Sequence, residues 1–194
     1  MELILASQSP RRRELFKLVG LDYTAVTSDA DENIPLGEPG SFVEQLALRK
    51  AEAVKQAHPG ACIVGADTIV WLDGEIIGKP RDEEDAVRIL KKLSGRTHTV
   101  YTGVAVLTDV STQLCHDTTM VTMEEIPEED IRAYVASGEP LDKAGAYGIQ
   151  GPAAVFVKRV EGCYFTIIGM PMHKLYHMLA NVGICPDWQR AKRT

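Results

Sequence analysis

Short unbroken apolar runs alternate along this chain with segments whose apolar residues recur every three or four positions. That alternation restricts the fold more than any other feature. Leu3–Ala6 and Ala61–Ala66 have strand length and are bounded by polar or turn residues. Helical periodicity opens at Ser9-Pro10 and runs to about Val19, with Ser9 as N-cap, Pro10 as first helical residue and Gly20 as terminator. A second helix starts at the capping-box spacing Ser41-Phe-Val-Glu44 and stops before Pro59-Gly60. A third begins at Asp82 or Glu83, with Ala86, Ile89, Leu90 and Leu93 on one face and Gly95 past its end.

Further strands are expected at Tyr23–Val26, Val100–Leu107 and Leu114–Met123, and further helices at Glu128–Ala136 and from about Pro171 to Asn181. Two hairpins interrupt the alternation. One joins Thr68–Leu72 to Glu75–Ile77 through Asp73-Gly74, the other Ala154–Val160 to Tyr164–Ile168 through Glu161-Gly162. Helices alternating with strands and hairpins imply an α/β fold on a mixed sheet. No Pro/Gly-rich linker divides the chain, so one domain over residues 1–184 is expected, followed by a loose tail, 185–194.

The formal net charge of −6 over 194 residues argues against nucleic acid as a partner, so a local basic cluster points to a small anion. No apolar run reaches membrane-spanning length and no signal-peptide pattern is seen, which implies a cytoplasmic setting and no membrane partner. Four scattered cysteines, none in a C-x-x-C pair, read as reduced thiols.

Arg11, Arg12 and Arg13 stand in the first turn of the first helix, where the macrodipole opposes cations. An anion held by backbone N–H groups, Ser7 or Ser9 hydroxyls and guanidinium forks would account for them; three solvated arginines are the alternative. Lys50 falls on the apolar face of the second helix with Val43, Leu46, Ala47 and Val54, where its ammonium either meets an acid or ligand or snorkels to water. Asp67 follows the run ACIVGA, in which Gly65 permits close backbone approach; the carboxylate sits at a ligand or metal position or caps a turn. Among Asp29, Asp31 and Glu32, one acid can join Asp67 around a hard divalent ion, or all are solvated.

GEIIGKP is not a phosphate-binding P-loop, because its glycines are too close and Pro80 stands where Ser or Thr would hold magnesium; Lys79 remains a point charge for phosphate. The stretch Asp142–Gly151 suits close ligand contact, with Gln150 able to read a base or sugar, or else is a flexible surface loop. His173 and His177 lack a third ligand and read as surface residues.

The ordered blocks LASQSPRRRELF, RKA, GADTIV, GKPRDEEDAVRILKKLSGRTHTVYTGV and SGEPLDKAGAYGIQG resemble the Maf family of septum-formation-inhibitor-like nucleotide pyrophosphatases over Leu3 to Gly183. The resemblance implies a mixed, strongly twisted sheet flanked by helices, two lobes with a cleft, as in inosine-triphosphate pyrophosphatases, and a homodimer. It also implies hydrolysis of nucleoside triphosphates to monophosphate and pyrophosphate with Mg²⁺ or Mn²⁺. Carried over by motif, Asp67 is the proton acceptor, and Ser7, Arg11, Arg12, Glu32, Lys50, Lys79 and Gln150 occupy functional positions. Asp67 and Glu32 would hold the metal. The block DKAGAYGIQG is similar to relatives acting on dTTP and UTP, in which Arg11, Thr68 and Gln150 set specificity. A nucleotide-binding regulator of septum formation without turnover, or a pyrophosphatase for modified or purine nucleotides, are the alternatives.

Overall fold

The computed structural model describes residues 1–190, the side chain of Arg190 excepted. Among these, seven strands form a mixed sheet in the order β2-β1-β3-β5-β6-β7, with β4 paired to β3. The strands are β1 (Leu3–Ala6), β2 (Thr24–Val26), β3 (Cys62–Leu72), β4 (Glu75–Ile77), β5 (Thr97–Leu107), β6 (Thr112–Met123) and β7 (Val157–Gly162). The helices are α1 (Pro10–Leu18), α2 (Pro39–Lys55), α3 (Glu83–Leu93), α4 (Glu128–Ala136), α5 (Tyr164–Ile168), α6 (Met172–Asn181) and α7 (Asp187–Arg190). The chain divides into two compact units, and β3, β5 and β6 each contribute to both.

Unit 1 comprises residues 1–67, 102–117 and 169 onward. In it β1 lies parallel to both neighbours, in register Leu3↔Cys62 to Ala6↔Gly65 on one side and Ile4↔Thr24 to Ala6↔Val26 on the other. Helix α2 covers this sheet: Ala47, Ala51 and Val54 pack with Ile4, Ala6, Ile63 and Ala105. Two glycines let it come close. A Cβ on Gly65 would lie 2.1 Å from the Ala47 carbonyl oxygen, and one on Gly103 would lie 2.3 Å from that of Val43. The start of α2 differs from the expected capping box. Pro39 occupies the first turn and Glu38 is the N-cap, its carboxylate accepting from Ser41 N–H at 2.8 Å, so Ser41 lies inside the helix. The fixed φ of Pro39 suits that first turn and moves the boundary forward. Of the segment 185–194, α7 is tied to the end of α1: Asp187 N–H donates to Gly20 O at 2.8 Å and Trp188 Nε1 to Val19 O at 3.1 Å. Residues 191–194 lie outside the described residues.

Unit 2 comprises residues 68–101 and 118–168. The hairpin through Asp73-Gly74 is present, both residues having positive φ (52° and 84°), as a twist-matched two-residue turn needs. Asp82 caps α3, accepting from Asp85 N–H at 2.8 Å. Ala86, Leu90 and Leu93 of α3 and Ile131, Tyr134 and Val135 of α4 pack with Val100, Val121 and Met123 in one core. The second expected hairpin is absent. Pro152–Phe156 forms a 3₁₀ turn, β7 pairs antiparallel with β6 (Thr119↔Gly162 to Met123↔Val157), and Tyr164–Ile168 is helical. A short apolar run such as YFTII does not distinguish strand from buried helix, and here Gly162 (φ 128°) ends the strand before it.

Candidate active site

β1 ends at Ala6, level with Gly65 of the longer parallel strand β3, and the loop after β1 feeds directly into α1. Ligands of α/β sheets bind at such carboxyl ends. Ser7 stands one residue past β1 and is buried; its hydroxyl accepts from Ser9 N–H at 3.2 Å and from Arg12 Nη1 at 3.4 Å. Arg13 donates to the Ser7 carbonyl at 3.3 Å, so two consecutive arginines hold one serine from both ends. Arg12 is anchored further by its Nε, which donates to Gly169 O at 2.8 Å. Burial pulls the Arg12 guanidinium below its ordinary pKa, as does the charge of Arg11, while Asp67 and Glu32 oppose that shift. An arginine so placed stays charged.

The sequence pattern puts Asp67 just past the end of a strand. The structure places it inside one, since β3 continues without a break from Cys62 to Leu72. Its carboxylate is nonetheless satisfied. Lys50 Nζ donates to Asp67 Oδ1 at 2.5 Å and reaches Glu32 Oε1 at 3.0 Å. Lys50 rises from the α2 face that packs on the sheet, its side chain only 15% exposed, so the ammonium that looked misplaced among apolar neighbours is spent on two acids. Glu32 comes from the polar loop and is 62% exposed, reachable from solvent. Asp31 contributes otherwise, accepting from Arg49 through its carbonyl at 3.1 Å.

Unit 1 thus gathers Ser7, Arg12, Glu32, Lys50 and Asp67, with Arg11 beside Arg12 on α1. The carboxylate oxygens of Asp67 and Glu32 already approach one common cation, and an all-oxygen donor pair fits a hard divalent ion such as Mg²⁺ or Mn²⁺. The remaining expected residues belong to unit 2: Thr68, half-buried and next after Asp67 on β3, with Lys79 and Gln150, both exposed. Lys79 and the loop of Gln150 are linked within that unit, because Gly145 N–H donates to Gly78 O at 3.0 Å. The loop is pinned rather than free, with Gly145, Ala146 and Tyr147 buried. Sequence reasoning did not single out Asp85, whose buried carboxylate accepts from Arg81 N–H at 3.1 Å and Arg88 Nη2 at 2.7 Å and fixes the turn that follows Lys79. These bonds hold the Asp85 carboxyl down at about 2. Its place inside the DEED run, where an acid reads as helix-start decoration, concealed it.

The family model for Maf-like proteins matches residues 2–182. This chain belongs to the Maf family. Curated Maf relatives include the dTTP/UTP pyrophosphatase of Pelotomaculum thermopropionicum, 48% identical over 94% of this chain and 97% of that protein. Those of Symbiobacterium thermophilum (46% identical, 94% of each chain) and Aquifex aeolicus (44%, covering 95% of this chain and 97% of that one) carry the same name. Among solved structures, the Ham1 protein of Staphylococcus aureus aligns with a TM-score of 0.49 at 16% identity, over 79% of this chain and 90% of that one.

Proposed function

We propose that this Maf protein hydrolyses nucleoside triphosphates, dTTP and UTP foremost, to the monophosphate and pyrophosphate. The observation that carries the reading is the Lys50 ammonium held between Asp67 and Glu32, with Arg12 in their field, beside the carboxyl end of β1. Relatives named for this activity at 44–48% identity support it.

Arg11, Arg12 and the N–H groups opening α1 receive the phosphate chain, and their charge grows in effect as the leaving pyrophosphate gains charge. Lys50 exchanges a carboxylate oxygen for a phosphate oxygen when substrate arrives. That exchange frees Asp67 Oδ1 to accept a hydrogen bond, then a proton, from the water attacking in line at the α-phosphorus. Lys79 adds a point charge, and Thr68 and Gln150 contribute to choice of base; these three assignments rest on the motif resemblance. A divalent cation held by Asp67 and Glu32 would supply Lewis-acid stabilisation of phosphoryl oxygens. Metal dependence, a homodimeric state, a cytoplasmic setting and the action of residues 1–184 as one domain followed by the tail 185–194 belong to the same proposal.

Pyrophosphate release from dTTP and UTP, measured with and without added Mg²⁺ or Mn²⁺, tests it. Asp67→Asn is expected to fold with wild-type circular dichroism and to lose release by at least about a hundredfold. Undiminished release by that variant removes Asp67 from the reaction, and absence of release by the wild type from every triphosphate tried removes the activity.

A further inference from the structure

Within unit 2, His98 on β5 meets Tyr147 on the 142–151 segment in the middle of the core. His98 Nε2 and Tyr147 Oη are 2.8 Å apart, and the rings stand edge-on with centroids 5.4 Å apart. His98 is 2% exposed and Tyr147 5%. Between them the neutral imidazole N–H and the phenol O–H offer two hydrogens, and one bond uses one of them. His98 Nδ1 has no hydrogen-bond partner among the described residues. An incompletely satisfied polar pair is a poor way to stabilise a core, since two apolar rings of the same shape would cost less. The pair needs another reason.

Its place in the segment supplies one. Gly145 and Ala146 take positive φ in succession (74° and 55°), and for alanine that conformation persists only where its surroundings enforce it. Before them, Lys143 Nζ donates to Glu139 O at 2.5 Å, and Tyr134 donates to the Glu139 carboxylate. After them, Gly148 and Gly151 lean on Glu139, where a Cβ at either would come within 2.8 Å of Oε1. Tyr147 is the buried anchor between these two sets of contacts, three residues before Gln150.

We propose that the His98–Tyr147 hydrogen bond is a positioning device that holds residues 143–151, and with them Gln150, in the register required to select the nucleotide base. The choice of base as the selected feature rests on the function proposed above; the holding of the segment does not. The phenol cannot slide past β5 without breaking its only bond to the imidazole. The strained Gly145-Ala146 turn therefore has one stable setting, and the exposed Gln150 amide inherits it.

Tyr147→Phe removes one oxygen and keeps the ring. Two readouts are taken on the full chain. In amide hydrogen exchange, residues 143–151 are expected to exchange about tenfold faster, the worth of one buried hydrogen bond, while α3 and β5 keep wild-type protection. In pyrophosphate release, KM for dTTP and UTP is expected to rise about tenfold, kcat to stay within about twofold, and preference for dTTP over CTP to fall by a like factor. His98→Gln, which keeps an amide able to reach the phenol, should retain more of this selectivity than His98→Leu. Unchanged exchange at 143–151 overturns the positioning role whether or not the wild type turns over any nucleotide, and so does faster exchange spread evenly through unit 2. Local loosening with KM and selectivity unchanged in an active protein overturns the link to base choice. A wild type inactive on all triphosphates refutes the function while the exchange result still decides the holding of the segment.

Discussion

Gly65→Ala adds one methyl group at the point where α2 lies closest to β3. The added Cβ would stand 2.1 Å from the Ala47 carbonyl oxygen, 2.9 Å from Ala51 N and 3.1 Å from Ala51 Cβ. The first two are backbone atoms of a hydrogen-bonded helix, so no side-chain rotation relieves the overlap. Helix α2 must retreat by about 1 Å, at a cost near the top of the range for overpacked cores, about 3 kcal/mol. Alanine recovers up to ~1 kcal/mol through lower unfolded-state entropy, leaving a net loss of about 2 kcal/mol. The displacement also reaches the site, because Lys50 lies between Ala47 and Ala51 on α2 while Asp67 is two residues beyond Gly65. A retreating helix stretches their 2.5 Å contact. Urea unfolding followed by circular dichroism should show a lower midpoint at unchanged slope, and pyrophosphate release should fall under conditions where the variant remains folded. Gly37→Ala is the matched control: nothing lies within 4 Å of its added Cβ, and it should be neutral. If Gly65→Ala unfolds within about 0.5 kcal/mol of wild type, the close approach of α2 to β3 is not what that glycine serves.

Lys50→Met keeps the stem that packs on the sheet but leaves Asp67 and Glu32 without their shared cation; release should drop at least about a hundredfold, measured at saturating dTTP. Burial pushes His98 down to about 4 from 6.5, so the unfolded chain takes up that proton first. Stability should therefore decline by about 3 kcal/mol through this residue as pH falls from 6.5 to 4 and level off below; urea midpoints across that range should decline less steeply in His98→Phe. Asp85, held at about 2, contributes stability that is present above 3.8 and lost as pH falls toward 2. Asp85→Asn should lower the melting temperature at neutral pH, and its difference from wild type should close in strong acid.

Elements with internal punctuation were legible in the sequence. Helix α1 lies between Ser9-Pro10 and Gly20, and the hairpin turns at Asp73-Gly74 because the local chemistry of those residues allows little else. Elements decided by tertiary contact were not. A carboxylate after an apolar run reads as a strand end at Asp67, yet β3 continues because an ammonium on another element answers it. Tyr164–Ile168 carries β-branched and aromatic residues and still forms a helix, since β6 takes its partner from Val157–Gly162 instead. The location of the site shows the same division. Lys50 declared itself by lying on an apolar face, whereas Asp85 is one acid among four near a helix start, and only its depth sets it apart.

The charges gathered in unit 1 bear on what that site can hold. Arg12 and Lys50 are set against Asp67 and Glu32, so these four groups carry no net charge and Lys50 is already spent on both carboxylates. That balance lets the charges lie together at low exposure, because each has an opposite neighbour. It also leaves too little to neutralise a triphosphate, whose oxygens bear several negative charges. On the proposed function, a divalent cation held by Asp67 and Glu32 would supply part of the shortfall once Lys50 turns to phosphate. The same two carboxylates would then serve the ammonium before substrate binds and a divalent ion afterwards, with Asp67 Oδ1 left to the attacking water. Lys50→Met and Asp67→Asn should consequently fail in different ways: the first keeps the acid pair and loses the exchange partner, the second loses one of the two negative charges that attract either cation. Titration of Mn²⁺ without nucleotide separates them, with affinity raised in Lys50→Met and lowered in Asp67→Asn.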